Sequence, residues 1–510
     1  MSDENLPGKN RDLAVLLFAL AGLVVIYHLG TALKGEGRFR DQHLGTALHY
    51  AATRFDLEHT IIVGFNATDT PTIQEIPVWQ MAAGLAFRFL GPWRGWANVV
   101  SLLLFLNCLY PLFRVAQKYY GERAAWWSLV FFLSQALIFL YSGEAGTDGS
   151  CLCVSIWFWF ACCQLADKPV KWFLPAAALG TVTALSKLPF FMAVGLAGFF
   201  LVLKVRGWKS AALAALAGVG MISGILFLLW THYTEALQAN AVFPFVDLRL
   251  SGSTEGESMM FWYFGDWHYR LNPANWGKAA WRFASAAFGS FSLIALFVLG
   301  IVNGRTHPAA KYLFAGALLT TLVFSHLILH HYNYLMLYSP AVAILCATAA
   351  VDIEKFLRRS GVSARAIALT ASALVLAALF QGLMAMRAFN FDPLPKTVAG
   401  EIEAHTAPQD KLVVINGGWG GDELIRAGRT GLSMWNATAF ENAENYARLK
   451  QMGFNKLVII SESPYQNAIQ IVNPGEIGIP RLMAKGFLTP LVAKWPVVYA
   501  TEDLIIKDIP

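Results

Sequence analysis

Apolar runs about as long as a bilayer is thick constrain this chain more than any other feature. A transmembrane helix needs about 20 consecutive, mainly apolar residues. The chain supplies such runs from 13–33 onward through most of its length. Inside lipid every backbone polar group must be satisfied internally, so a helical bundle follows and an open sheet does not. Charged residues make up 14% of the 510 residues, against roughly 25% in soluble domains. The net charge of +6 carries no nucleic-acid signal, because Lys and Arg fall in short loops between the runs. No small-residue cleavage site follows 13–33, which reads as a retained anchor.

Loop charge gives an orientation. Lys9 and Arg11 precede the first run, which predicts a cytoplasmic N-terminus. Further spans are expected near 97–113, 124–141, 150–165, 172–186, 188–203, 210–231, 279–302, 312–329, 335–351 and 366–386. Every second short loop is basic (Arg114, Lys118 and Arg123; Lys168 and Lys171; Lys204, Arg206 and Lys209; Arg305 and Lys311; Lys355, Arg358, Arg359 and Arg365), and the alternate loops are not. That pattern predicts about eleven spans with the C-terminus outside. Two long outer loops are expected, 34–76 and 232–278. The run 76–90 is short for a crossing and reads as a helix that lies along the outer interface or re-enters.

From about 390 the composition changes. DKLVVIN (410–416) and NKLVIIS (455–461) read as strands, NAENYARLKQMG (442–453) as a helix and PVVYATEDLIIKDI (496–509) as closing strands. The expected architecture is an α-helical polytopic membrane domain over 1–390, followed by an extracytoplasmic α/β domain over 391–510. GGWGGDE (417–423) lacks the GK[ST] of a phosphate loop and the GxGxxG spacing, and reads as a turn. The six cysteines lie in or beside apolar runs without a CxxC pair, as core residues do.

Charged residues beside apolar runs are costly and are functional candidates. Asp41, Glu75, Glu144, Asp148, Lys187, Arg270, His330 and His331 all map to the outer face of this topology. A transporter places such groups nearer the midplane, on broken helices. A cluster at one face suits chemistry on a substrate with its head in water and its tail in lipid. Asp41, in the first outer loop, is a candidate general base for a hydroxyl. Asp148 precedes a span and Glu75 opens EIPVW; both also suit helix capping. Lys187 lies in a short break between two runs, where its charge suits a phosphate at headgroup level or snorkels to the interface. His330, His331, Tyr332 and Tyr334 cluster at another outer helix end, and the tyrosines also suit an interfacial belt. The 232–278 loop carries aromatics with Asp266, His268 and Arg270.

These motifs in this order resemble the GT-C glycosyltransferases that use polyprenyl-phosphate sugars, of the protein mannosyltransferase and aminoarabinose transferase type. The set is DQHLGTALHYA from Asp41, TIQEIPVWQ (72–80), the acid Asp148 before a span, LSKLP (185–189) and HHYNYLMLYSP (330–340). The first-loop stretch keeps the family's Asp but lacks its second acid. EIPVWQ retains Glu75, Pro77 and Gln80 and has Ile76 where one branch carries a lysine. The resemblance implies an inverting direct displacement at the outer face. Asp41 would be the base, and Asp148 and Glu75 would position sugar or acceptor. Lys187 would meet the donor phosphate, with Arg270 and the His330–Tyr334 cluster as helpers. The implied partners are a polyprenyl-phosphate-linked sugar, an extracytoplasmic acceptor (glycan, lipid or protein) and the bilayer of an inner membrane. No cofactor is assigned; three carboxylates could hold a divalent cation, but no ligand set is identified. A transporter or flippase of lipid-linked glycans is the alternative.

Overall fold

The structure, a computed structural model, describes residues 11–33, 41–55, 57, 75–91, 93–239, 263–303, 307–385, 396–415, 422–434, 447, 449–460, 492, 494–501 and 504–510. The chain starts with α1 (Arg11–Leu33) and α2 (Asp41–Ala52). The latter forms within the first expected loop, where Leu44, Ala47 and Tyr50 recur at helical spacing and are buried. Next is α3 (Val78–Leu90), whose 13 residues reach about 20 Å, short of the roughly 30 Å hydrocarbon core. It buries Trp79, Gln80, Ala83, Gly84 and Phe87 on one face, against α2 and α4 (Gly95–Asn107).

Helix α5 (Leu109–Tyr120) continues α4, and α6 (Glu122–Leu133) returns and breaks before α7 (Ala136–Tyr141). Then follow α8 (Thr147–Leu165), α9 (Pro169–Ser186), α10 (Leu188–Arg206) and α11 (Ala211–Ala239). The long α11 runs beyond its expected end into the second loop. There, α12 (Trp267–Leu271) and α13 (Pro273–Phe283) lead through a π-helical turn into α14 (Phe291–Val302). The membrane part closes with α15 (Ala309–Val323), α16 (Ser325–His330), a 3₁₀ turn (Tyr332–Tyr338), α17 (Ser339–Arg359) and α18 (Ala364–Ala385).

Seven of the described helical stretches are long and apolar enough to cross a membrane, and α14 and α15 are shorter apolar helices. Small residues let the helices approach closely. A Cβ on Gly316 of α15 would lie 2.2 Å from the Ala193 carbonyl oxygen of α10. All six cysteines are unbridged and buried.

Ion pairs staple one end of the bundle. Arg123 at the start of α6 forks onto Asp12 of α1 and Glu354 of α17, at 2.9–3.0 Å. Lys118 and Arg206 both reach Asp167, in the turn between α8 and α9.

Beyond the bundle, α19 (Lys396–His405) and α20 (Asp422–Ala427) accompany five strands: β1 (Lys411–Ile415), β2 (Thr430–Met434), β3 (Lys456–Ile460), β4 (Val497–Ala500) and β5 (Leu504–Asp508). Their order is β2-β1-β3-β5-β4. The expected strands β1 and β3 pair in parallel, and β4 and β5 form the antiparallel closing pair. The apolar β1 and β3 are buried beneath α19 and α20, as parallel strands require. Half of 442–453 (442–446 and 448) and residues 417–421 of GGWGGDE lie outside the described residues, and 447 and 449–451 are helical as expected. Helix α20 packs against α2, bringing the sheet unit to the first loop.

Candidate active site

At the end of the bundle opposite Arg123, three helix junctions meet. The first is the break between α9 and α10, where Lys187 is one extended residue (φ −155°, ψ 104°) between two helices. Pro189, in the first turn of α10, has no N–H to lose there. The segment before α3 joins this break, because the Ile76 N–H donates to the Leu185 carbonyl at 3.0 Å. That bond sets Glu75 beside Lys187. The third junction is the start of α8, where Asp148 sits in the first turn and gains from the helix dipole.

The turn from α7 to α8 is clamped on two sides. Asn98 donates to the Gly143 carbonyl at 2.7 Å, and the His28 ring is bonded to the Phe139 carbonyl at 2.8 Å. Any Cβ on Gly143 would lie 2.2 Å from the His28 ring.

Lys187 is 7% exposed and Asp148 3%. The Lys187 Nζ lies 2.8 Å from Glu75 Oε1 and 3.2 Å from Asp148 Oδ1. It also donates to the Tyr334 hydroxyl at 3.5 Å, and its charge sits 5.0 Å from that ring's centre. Asn333 Nδ2 donates to Asp148 Oδ1 at 3.0 Å, and Thr147 Oγ donates to Glu75 Oε2 at 3.1 Å. One cation thus serves two carboxylates, and the trio carries one net negative charge. Burial first, and then the Glu75 carboxylate, push the phenol of nearby Tyr263 up to about 12, so it stays protonated at neutral pH.

The expected site residues divide. Glu75, Asp148, Lys187 and Tyr334 come together. His331 stands beside Tyr334, with ring centres 6.3 Å apart. Asp41 opens α2; its side chain, like those of His330 and Tyr332, lies outside the described residues. Arg270 is held elsewhere: its guanidinium donates to the Phe264 and Val323 carbonyls at 2.8 and 3.1 Å and stacks on Trp267. These contacts tie α12 to the end of α15 and do not involve Lys187. Among the described residues no group of three or more His, Cys, Asp or Glu is placed to hold a metal ion.

His43, Thr147 and Asn333 were not singled out from the sequence. Each stands within two residues of a candidate or inside a candidate run, but a neutral side chain shows no cost that marks it.

No protein-family model and no curated protein matches the chain. Solved structures do. The chain is similar to ArnT from Cupriavidus metallidurans in the apo state, at 13% identity over 98% of each chain, with a TM-score of 0.60. It is likewise similar to ArnT bound to undecaprenyl phosphate, again 13% identical over 98% of each chain, with a TM-score of 0.61. It has the GT-C fold. An oligosaccharyltransferase from Archaeoglobus fulgidus, in the apo form, is similar at 10% identity over 91% of this chain and 71% of that one, with a TM-score of 0.50. The GT-C likeness extends through the C-terminal sheet unit, since nearly the whole chain aligns with ArnT.

Proposed function

We propose that this chain is a membrane glycosyltransferase. It moves a sugar from a polyprenyl-phosphate donor to an acceptor at the outer face of an inner membrane, with inversion. The observation that carries this reading is the Glu75–Lys187–Asp148 trio, with Lys187 and Asp148 buried and Glu75 half-buried, at one end of an apolar bundle. In glycosyl transfer positive charge develops on the sugar ring and negative charge on the departing oxygen. A net-negative pair of carboxylates suits the first, and a lysine N–H suits the second. Of the Nζ contacts to Glu75, Asp148 and Tyr334, the longest goes to Tyr334, at 3.5 Å, and is the one a phosphate oxygen would replace.

In this reading the acceptor hydroxyl oxygen attacks the anomeric carbon, and its proton passes to Asp41. The bond from that carbon to the phosphate oxygen breaks, and polyprenyl phosphate leaves. Residues 1–390 form the catalytic domain, with the N-terminus cytoplasmic and 391–510 outside. The shared fold with ArnT, seen with undecaprenyl phosphate bound, supports the donor class. The alternative, a flippase, calls for charged groups along the span interiors, whereas this trio sits at helix ends.

The test is release of free polyprenyl phosphate, followed by mass spectrometry. Purified protein is given a panel of polyprenyl-phosphate sugars and a membrane extract as acceptor source. We expect release by the native protein and none by Asp41→Asn, which folds and inserts normally. Full activity in Asp41→Asn removes the base assignment. Equal movement of labelled donor across the bilayer by both proteins, without release, establishes the flippase.

A further inference from the structure

Helix α2 carries Asp41 at its first position and His43 two residues later. Residues two apart do not share a helix face, and the side chain the structure describes is that of His43. It turns into the protein and is 2% exposed. Gln80 of α3 lies with its amide nitrogen 2.9 Å from His43 Nδ1. With the amide nitrogen on that side Gln80 donates and Nδ1 accepts, which assigns the ring hydrogen of a neutral imidazole to Nε2. Nε2 is 3.4 Å from Thr147 Oγ. Thr147 receives there and gives its own hydrogen to Glu75 Oε2 at 3.1 Å, while the other Glu75 oxygen accepts from Lys187 at 2.8 Å. Every hydrogen in the chain Gln80, His43, Thr147, Glu75 points the same way. An imidazolium would set Nδ1–H against the amide N–H and break it. Among the described residues the ring meets the Trp79 edge, Gln80 and Thr147, and Thr147 leads on to Glu75.

We propose that neutral His43, through Thr147, is the positioning residue that fixes the first turn of α2 against the Glu75–Lys187–Asp148 trio. The consequence for turnover rests on the glycosyltransferase reading; the coupling between His43 and Thr147 does not. His43 touches no reacting atom. It sets where the proposed base stands relative to the groups that hold the donor, so its loss acts on turnover and not on donor capture. Gln at this position keeps a donor at the reach of Nε2 and restores part of the coupling; Phe keeps the ring volume and none of the hydrogen bonds.

The experiment is polyprenyl phosphate release in nanodiscs by the native protein, His43→Phe, His43→Gln, Thr147→Val and the His43→Phe/Thr147→Val double variant, alongside the signals of ¹⁵N-labelled histidine. We expect kcat to fall about tenfold in His43→Phe and in Thr147→Val, with the donor KM within about twofold of native. The double variant should be no slower than the slower single variant, since both remove one chain. His43→Gln should recover about a third of native turnover. A raised donor KM with unchanged kcat, or losses that multiply in the double variant, overturns the proposal. If the native protein releases nothing from any donor, the transferase reading fails by itself, and the ring signal decides the coupling. An Nε2–H tautomer for His43 that shifts in Thr147→Val supports it; an Nδ1–H tautomer, or a signal blind to Thr147, overturns it.

Discussion

The two ends of the bundle handle charge in opposite ways. At the Arg123 end two arginines meet two carboxylates: Arg123 forks onto Asp12 and Glu354, and Arg358 adds a second fork to Glu354 at 2.7–2.9 Å. Planar guanidinium forks match carboxylates bidentately and hold them in one geometry. At the other end a single lysine ammonium, a point charge without a fork, serves Glu75 and Asp148. The first arrangement is charge-balanced and ties α1, α6 and α17 together. The second, among the described residues, sets two carboxylates against one cation in a largely buried site. Buried ion pairs are weak evidence of stabilisation; what separates the two clusters is whether charge is left over for a ligand.

Removing the cation at the site end should have the largest effect. In Lys187→Met the Glu75 and Asp148 carboxylates lose their shared cation and repel each other, and in the proposed mechanism the donor phosphate loses its N–H. We expect transfer to fall about a thousandfold, roughly 4 kcal/mol of transition-state stabilisation, read as polyprenyl phosphate release. Turnover within about threefold of native would make this cluster a staple like the other. Arg123→Met is the counterpart. It strands Asp12, leaves Glu354 to Arg358 and Trp127, and should cost about 3 kcal/mol of stability in thermal unfolding. Its transfer rate per folded molecule should stay within about twofold of native. A loss of turnover as deep as that of Lys187→Met would erase the distinction between the ends.

The same contrast governs what could be read from sequence. Apolar runs and alternating loop charge announce a polytopic bundle, because the cost of burying charge in lipid is written into composition. Glu75, Asp148 and Lys187 were legible for that reason: each is an expensive residue beside an apolar run. Their meeting was not, since it depends on the Ile76–Leu185 backbone bond, which joins segments far apart in the chain. Arg270 shows the limit of the cost argument. A cation at the right face turned out to satisfy itself on the Phe264 and Val323 carbonyls. Helix α2 was hidden by its polar start and modest length, and β2, with Gly431 and Ser433 among its five residues, lacks the apolar signature of β1 and β3.

The turn that delivers Asp148 tests the geometry without touching charge. Gly143→Ala places a methyl 2.2 Å from the His28 ring, so either that ring or the turn must shift. We expect about 1–3 kcal/mol of lost stability, seen as a lower unfolding midpoint, with reduced turnover as Asp148 moves. A variant as stable as native would show that the turn is loosely held, and that the trio does not depend on the His28 clamp.

The smallest effect belongs to the Arg123 end, at Asp167. Burial alone would raise the Asp167 carboxyl, but the hydrogen bonds and charges of Lys118 and Arg206 outweigh it and hold the group below its ordinary value of 3.8. A carboxyl depressed in the folded state adds stability above its unfolded value, and that stability is lost as pH falls through the folded one. With 38% of its side chain exposed, solvent screening limits the contribution to about 0.5 kcal/mol. Asp167→Asn should therefore unfold about 1 °C below native at pH 7. The gap should close as pH drops below about 4, where the carboxyl of the unfolded chain takes up a proton first and that of the folded protein follows. Because the pair lies far from the trio, turnover at neutral pH should not change. A gap of constant size down to pH of about 3 would assign the effect to shape and not charge. A fall in turnover would mean that the two ends are coupled through α8, the helix that runs from Asp148 to the turn holding Asp167.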